Sequence, residues 1–174
     1  MNYPNEFIQY LSEFHGSRDY FECHEILEEY WKEHLPLDRE SVWVGFIQLA
    51  VGMYHYRRNN LSGALRTLQK AKQILSKHPH VIEQLGIDSE GLSSLLHNSI
   101  HKVQNTDPYT SPSLPIRDPE LIRACQVMCK KYGYTWNRES NLSDSSLVNR
   151  HSTRDRTEVI QERFDQLKKR RKNK

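Results

Sequence analysis

The run Glu22-Cys23-His24-Glu25-Ile26-Leu27-Glu28 concentrates an imidazole, a thiol and three carboxylates on what reads as one helix. Such groups can bind a divalent ion, pass protons, or satisfy one another as a buried polar network. At about 100° per residue, Tyr20, His24, Leu27 and Trp31 share one stripe of that helix, with Glu28 at its edge and Glu25 between faces. Glu22, Glu29 and Glu33 point away, as a solvated acidic face. His24 and Glu28 are therefore expected to face inward, with Glu25 as a third candidate.

The helix that follows is apolar over nearly its whole circumference, from Val42 and Trp43 to Met53 and Tyr54, as suits a central buried element. Its exception is the stripe Gly45, Gln48, Gly52, His55. Small residues there admit a close neighbour, and Gln48 and His55 supply polar atoms. The expectation is that this stripe faces His24 and Glu28, making a pocket of His24, Glu28, Gln48 and His55. Two histidines and a carboxylate suit Zn or Mn, or a general acid–base pair. The motif departs from known metal patterns: Glu28 stands where a zincin needs its second histidine, and no Glu-x-x-His pairs recur for a di-iron site.

These helices need partners. Phe7, Tyr10, Leu11 and Phe14 give a first helix over Asn5–Phe14 with Gly16 at its stop. Asp19 and Glu22 suggest a capping box for the second helix, which runs to about Glu33 before Pro36. A third spans about Asp38 to Arg58, and Asn59-Asn60 breaks it. Ser62 is the expected cap of a fourth, ending at His78-Pro79. A short apolar piece and a helix from Ser89 follow, then a loop over 106–117 and a helix from Asp118-Pro119 to Lys131. Residues 137–153, rich in Ser, Asn and Arg, read as linker, and Val159, Ile160, Phe164 and Leu167 mark a last amphipathic helix with a basic end. No segment sustains period-two alternation, so the fold class is all-α. A compact bundle of helix hairpins is expected, with a core domain over 1–131 and an appendage over 132–174. Gly63-Ala64-Leu65 through Ala71 resembles one tetratricopeptide helix, but no fixed-period copies recur, so a repeat array is excluded.

At 174 residues the chain can bury one good core. No apolar run reaches the roughly 20 residues of a membrane span, and no signal pattern opens the chain. Three cysteines without a CxxC pair point to reduced thiols and a cytoplasmic location. The net charge of +3 gives little reason to expect nucleic-acid binding. His97 and His101 have metal-pair spacing but fall opposite Leu92, Leu96 and Val103, on solvent. Cys125 and Cys129 fall on an apolar face as core thiols.

Several spaced motifs then occur in order: Tyr20 to Trp31, Gly45-Phe46-Ile47-Gln48-Leu49-Ala50, His55, and Asn59-Asn60-Leu61-Ser62-Gly63-Ala64. In these the chain resembles the family known as domain of unknown function 309, over about residues 14–76. Phe46 replaces a usual Leu, and Asn59 stands where Gly is usual, a swap the left-handed turn tolerates. The resemblance implies a compact helical bundle and carries no activity with it.

Three readings stay open. The first is a polar pocket of His24, Glu28, Gln48 and His55 that lines a ligand or serves as a structural network. The second is a metal-dependent, hydrolase-like enzyme on His24, Glu28 and His55, with His24 or Glu25 as catalytic base. The third is an adaptor that meets a protein partner through its tetratricopeptide-like helices, or a protein partner or acidic surface through residues 154–174.

Overall fold

The computed structural model describes residues 2–153 and, beyond them, 160–161, 164–165 and 168–169. Its helices are α1 (Asn5–Ser12), α2 (Tyr20–His34), α3 (Val42–Arg57), α4 (Leu61–Leu75), α5 (Pro79–Gln84), α6 (Ser89–Gln104), α7 (Pro119–Tyr132), α8 (Ser145–Val148) and α9 (Arg150–Thr153). Among the described residues there are no strands, only an isolated bridge between Ile87 and Ile116. The fold is all-α and compact.

Central in this arrangement is α3, packed most extensively on α4 and next on α2; α4 also packs on α6, and α1 on both α2 and α7. Its sequence explains the position. Phe46, Leu49 and Ala50 have no solvent exposure, and Val42, Ile47, Met53 and Tyr54 have little. Phe7, Tyr10 and Phe14 of the first helical stretch are fully buried, and Phe7 and Tyr10 meet Phe46 ring to ring at 5.3 and 5.9 Å. The Tyr10 hydroxyl donates to the Phe46 carbonyl (2.9 Å), so its one polar atom is satisfied inside the core.

The first helix does not stop at Gly16. Past Ser12 the chain widens into a π-helical turn over Glu13–Ser17 and ends at Arg18, whose φ of 59° is left-handed. Gly16 serves packing instead of termination: a Cβ there would lie 2.9 Å from Cys129 Sγ and 3.0 Å from Tyr134 Cβ. Capping set several other boundaries. Asp19 accepts from Glu22 N (3.0 Å) and opens α2 as expected. Ser41 caps α3, so that helix starts four residues after Asp38, whose carbonyl is taken by the Trp31 indole (2.9 Å) in the preceding turn. Asn60, not Ser62, caps α4 through Gly63 N (3.1 Å), with Asn59 at φ 64° making the turn. Asp88, one residue before Ser89, caps α6.

Residues 137–153, linker-like in composition, lie on the core. Leu147 is buried, and Arg18, Arg57 and Tyr54 all bond to this stretch. The amphipathic basic helix expected over 154–174 falls mostly outside the described residues; Ile160 and Phe164, which are described, are exposed.

Candidate functional site

The α2 cluster sorts by burial. Tyr20, Cys23 and Leu27 have no solvent exposure, whereas His24 retains 24% side-chain exposure. The buried face of α2 is therefore centred nearer Cys23 than His24, and His24 occupies its rim. His24 Nε2 lies 2.9 Å from Glu28 Oε2, one turn along, and Lys32 Nζ holds the other oxygen at 2.7 Å. The hydrogen bond from His24, aided by Lys32 and opposed by burial, pulls the Glu28 carboxyl down to about 2. Phe21 meets the His24 ring edge-on at 5.5 Å.

His55 occupies the last turn of α3, beside the turn into α4. Because Asn60 Oδ1 accepts from Gly63 N, its amide nitrogen faces Nδ1 of His55 at 3.1 Å and donates to it. That leaves Nε2–H as the donor His55 can offer. Burial, with Arg58, Arg66 and His151 nearby, pushes His55 below its ordinary range, so it is neutral near pH 7.

His24 and His55 line one cavity of about 220 Å³ together with Tyr20, Phe21, Val51, Tyr54, Arg58 and His151. His151 arrives from α9. The Tyr54 hydroxyl accepts its backbone N–H at 3.0 Å and bonds Nδ1 of its ring. Arg150 Nε approaches Asp19 Oδ2 at 3.2 Å, so α9 is tied to the start of α2 as well.

Glu28 and Gln48 do not line this cavity. The Gly45–Gln48–Gly52 part of the stripe faces α4: a Cβ at Gly45 would lie 2.6 Å from Leu75 Cδ2, and one at Gly52 2.5 Å from Leu68 Cδ2. Gln48 lines a shallow groove with Arg66, Thr67, Gln69, Lys70 and Gln73 of α4. On the helical wheel His55 lies roughly 20° from Gln48, so angle alone does not separate them. Height along α3 does: His55 stands two turns further on, in the last turn, beside Phe21, Tyr54 and His151.

Among the described residues no three His, Cys, Asp or Glu side chains gather so as to hold a metal ion. Of the expected ligands His24, Glu28 and His55, Glu28 is engaged by His24 and Lys32. His55 also sits in the field of two guanidiniums, opposite to what a divalent cation needs. A larger hollow, of about 480 Å³, lies among Met53, Tyr56, Leu95, Ser99, His101 and Lys102. It offers no comparable convergence, since His101 is exposed and Lys102 is already bonded to Thr110 (3.1 Å).

Two buried groups have no signature in the motifs. His15 is 1% exposed; its Nδ1–H donates to the Leu11 carbonyl (2.9 Å), and Nε2 accepts from Leu114 N (2.9 Å). Burial pushes it down to about 4, so it is a neutral pin between the π-helical turn and the 106–117 loop. Arg18 and Arg57 form the second group. Arg18 Nε donates to Arg138 O (2.8 Å), and its Nη1 bonds Pro112 O. Arg57 lies over the Tyr20 ring at 4.5 Å and donates to Arg18 O (2.5 Å) and Leu147 O (3.4 Å). The only advance signal was position: Leu11 and His15 are one turn apart on the buried face of the first helix.

The family described as "Domain of unknown function (DUF309)" matches residues 7–67. The chain is also 47% identical, over 171 residues and 98% of each chain, to the "Uncharacterized protein YpuF" of Bacillus subtilis (strain 168). It belongs to this family. No solved structure matches it significantly. The matched span starts earlier than the motifs suggested, at Phe7, and so takes in the aromatic residues of α1 that share a core with α3. It contains His15, Arg18, His24, His55, Arg57 and Arg58, and ends before the α9 residues that roof the cavity. Among the described residues, no helix is long and apolar enough to cross a membrane.

Proposed function

We propose that this helical protein binds a small molecule in the cavity between α2 and α3, under α9. One observation carries the reading: three histidines from three separate helices converge on one partly enclosed, aromatic-walled space. Pockets of this make-up, apolar walls with a few placed polar groups, are the usual form of small-ligand sites. Their residues are not consumed by the core. His24 and His55 are each only partly buried, and each uses one ring nitrogen in a local bond, His24 with Glu28 and His55 with Asn60. The purely structural alternative, a self-satisfied network of His24, Glu28, Gln48 and His55, is less well supported, because Gln48 lies on the α4 side of α3.

The test is a fragment screen on the full-length protein, followed by NMR of its aromatic and imidazole signals. Fragments should perturb Phe21, Tyr54, His55 and His151 while leaving His101 unmoved. Filling the space with His55→Trp should abolish those shifts. Hits that persist in the filled variant, or that map to the His101 hollow, would overturn the reading.

A further inference from the structure

We propose that the occupant is a small planar organic anion, an aromatic carboxylate, whose charged end lies against Arg58 and whose ring lies between Tyr20, Phe21 and Tyr54. The inference rests on the ligand-pocket reading above and names the ligand's class.

The lining decides the charge. It contains one guanidinium and three imidazoles and no carboxylate. Arg58 is half-buried at the end of α3, with its guanidinium 5.7 Å from the Tyr54 ring, and forms no ion pair with a described residue. Nearby acids are already engaged: Asp19 faces Arg150 at 3.2 Å, and Glu28 is bound by His24 and Lys32. Arg66 adds further positive potential around His55. A partly enclosed, low-dielectric space with an unneutralised guanidinium concentrates anions.

The donor arrangement agrees. His55 accepts from Asn60 at Nδ1, and the Tyr54 hydroxyl bonds Nδ1 of His151, which leaves Nε2–H as the donor of each neutral ring. A planar carboxylate accepts from such donors and pairs with a guanidinium in fork geometry. The walls supply the rest: Phe21 and Tyr54 stand 5.8 Å apart centre to centre, tilted by 58°, and Tyr20 and Val51 complete the apolar side. Arg58 is the one guanidinium of the lining, so the charged end is directed to its side. The volume of about 220 Å³ limits the ligand to about one substituted ring.

The experiment titrates the full chain with three probes of one shape: benzoate, benzamide and benzylammonium. Benzoate should shift the Phe21, Tyr54 and His55 signals and bind at least about tenfold tighter than benzamide, with benzylammonium weakest. Arg58→Gln should bring the benzoate-to-benzamide ratio close to one, and Arg58→Lys, which keeps the charge, should restore part of it. Equal binding of benzamide and benzoate by the native protein overturns the anion assignment and leaves the pocket reading standing. So does a ratio unchanged in Arg58→Gln. If all three probes leave these signals still and the wider fragment screen is equally silent, both readings fall.

Discussion

Replacing Glu13 by glutamine should make this protein more stable, and only above mildly acidic pH. Glu13 lies in the π-helical turn, where its carboxylate accepts from the Ser17 hydroxyl and, at 3.3 Å, from Tyr134. Burial, with Asp19 and Glu22 adding like charge, outweighs these bonds and raises its carboxyl from 4.5 to about 7. A raised carboxyl means that the fold prefers the protonated form. Its contribution is fully present below about pH 4.5 and is lost as pH rises through about 7. At about 1.4 kcal/mol per unit of pKa, the loss amounts to about 3 kcal/mol. Glutamine keeps the shape and an acceptor oxygen but cannot ionise. Urea unfolding followed by far-UV circular dichroism should therefore show Glu13→Gln and the native protein equal near pH 4.5, and the variant ahead by about 3 kcal/mol near pH 8. His15, two residues away, runs the other way: its lowered value makes its contribution complete above 6.5 and lost as pH falls toward about 4. In the native protein the two slopes oppose between about pH 4.5 and 6.5, and Glu13→Gln should uncover the His15 slope alone. A stability difference between the two proteins that does not change with pH would refute the reasoning.

Two further outcomes follow from packing. Gly52→Ala should cost about 1–2 kcal/mol net, because the new methyl meets Leu68 at 2.5 Å and overpacking outweighs the gain in helix propensity; a variant that melts later in urea would show that α3 and α4 are not so closely apposed. Cys23, Cys125 and Cys129 are buried and free, and burial pushes the Cys125 thiol up to about 12. All three should react with Ellman's reagent only as fast as the protein unfolds, and rapid native labelling of Cys125 would contradict its placement.

What the sequence made legible follows from local rules. Asp19 as a cap, the pairing of His24 with Glu28 one turn apart, and the exposure of His97 and His101 depend only on neighbours within a helix. The burial of α3 was equally plain from its composition. Which neighbour covers which side of α3 was not, because a helix that is apolar all round gives no face to read. That is why Gly45, Gln48 and Gly52 met α4 while His55 met the α2 side. The π-helical turn was hidden because Gly16 looks like a stop, when its role is to admit Cys129 and Tyr134. The roof of the cavity was hidden for another reason: a Ser- and Asn-rich stretch held by arginines has no apolar periodicity.

That mode of holding has a consequence for how the family's members can diverge. Arg18 and Arg57 grip Pro112, Arg138 and Leu147 by main-chain carbonyls, a group every residue carries. The clamp reads the path of the chain and is blind to most of its side chains. The stretch from Arg138 to Leu147 can therefore exchange side chains without coming loose, whereas α9 beyond it is also held by side chains of its own, Arg150 on Asp19 and His151 on Tyr54.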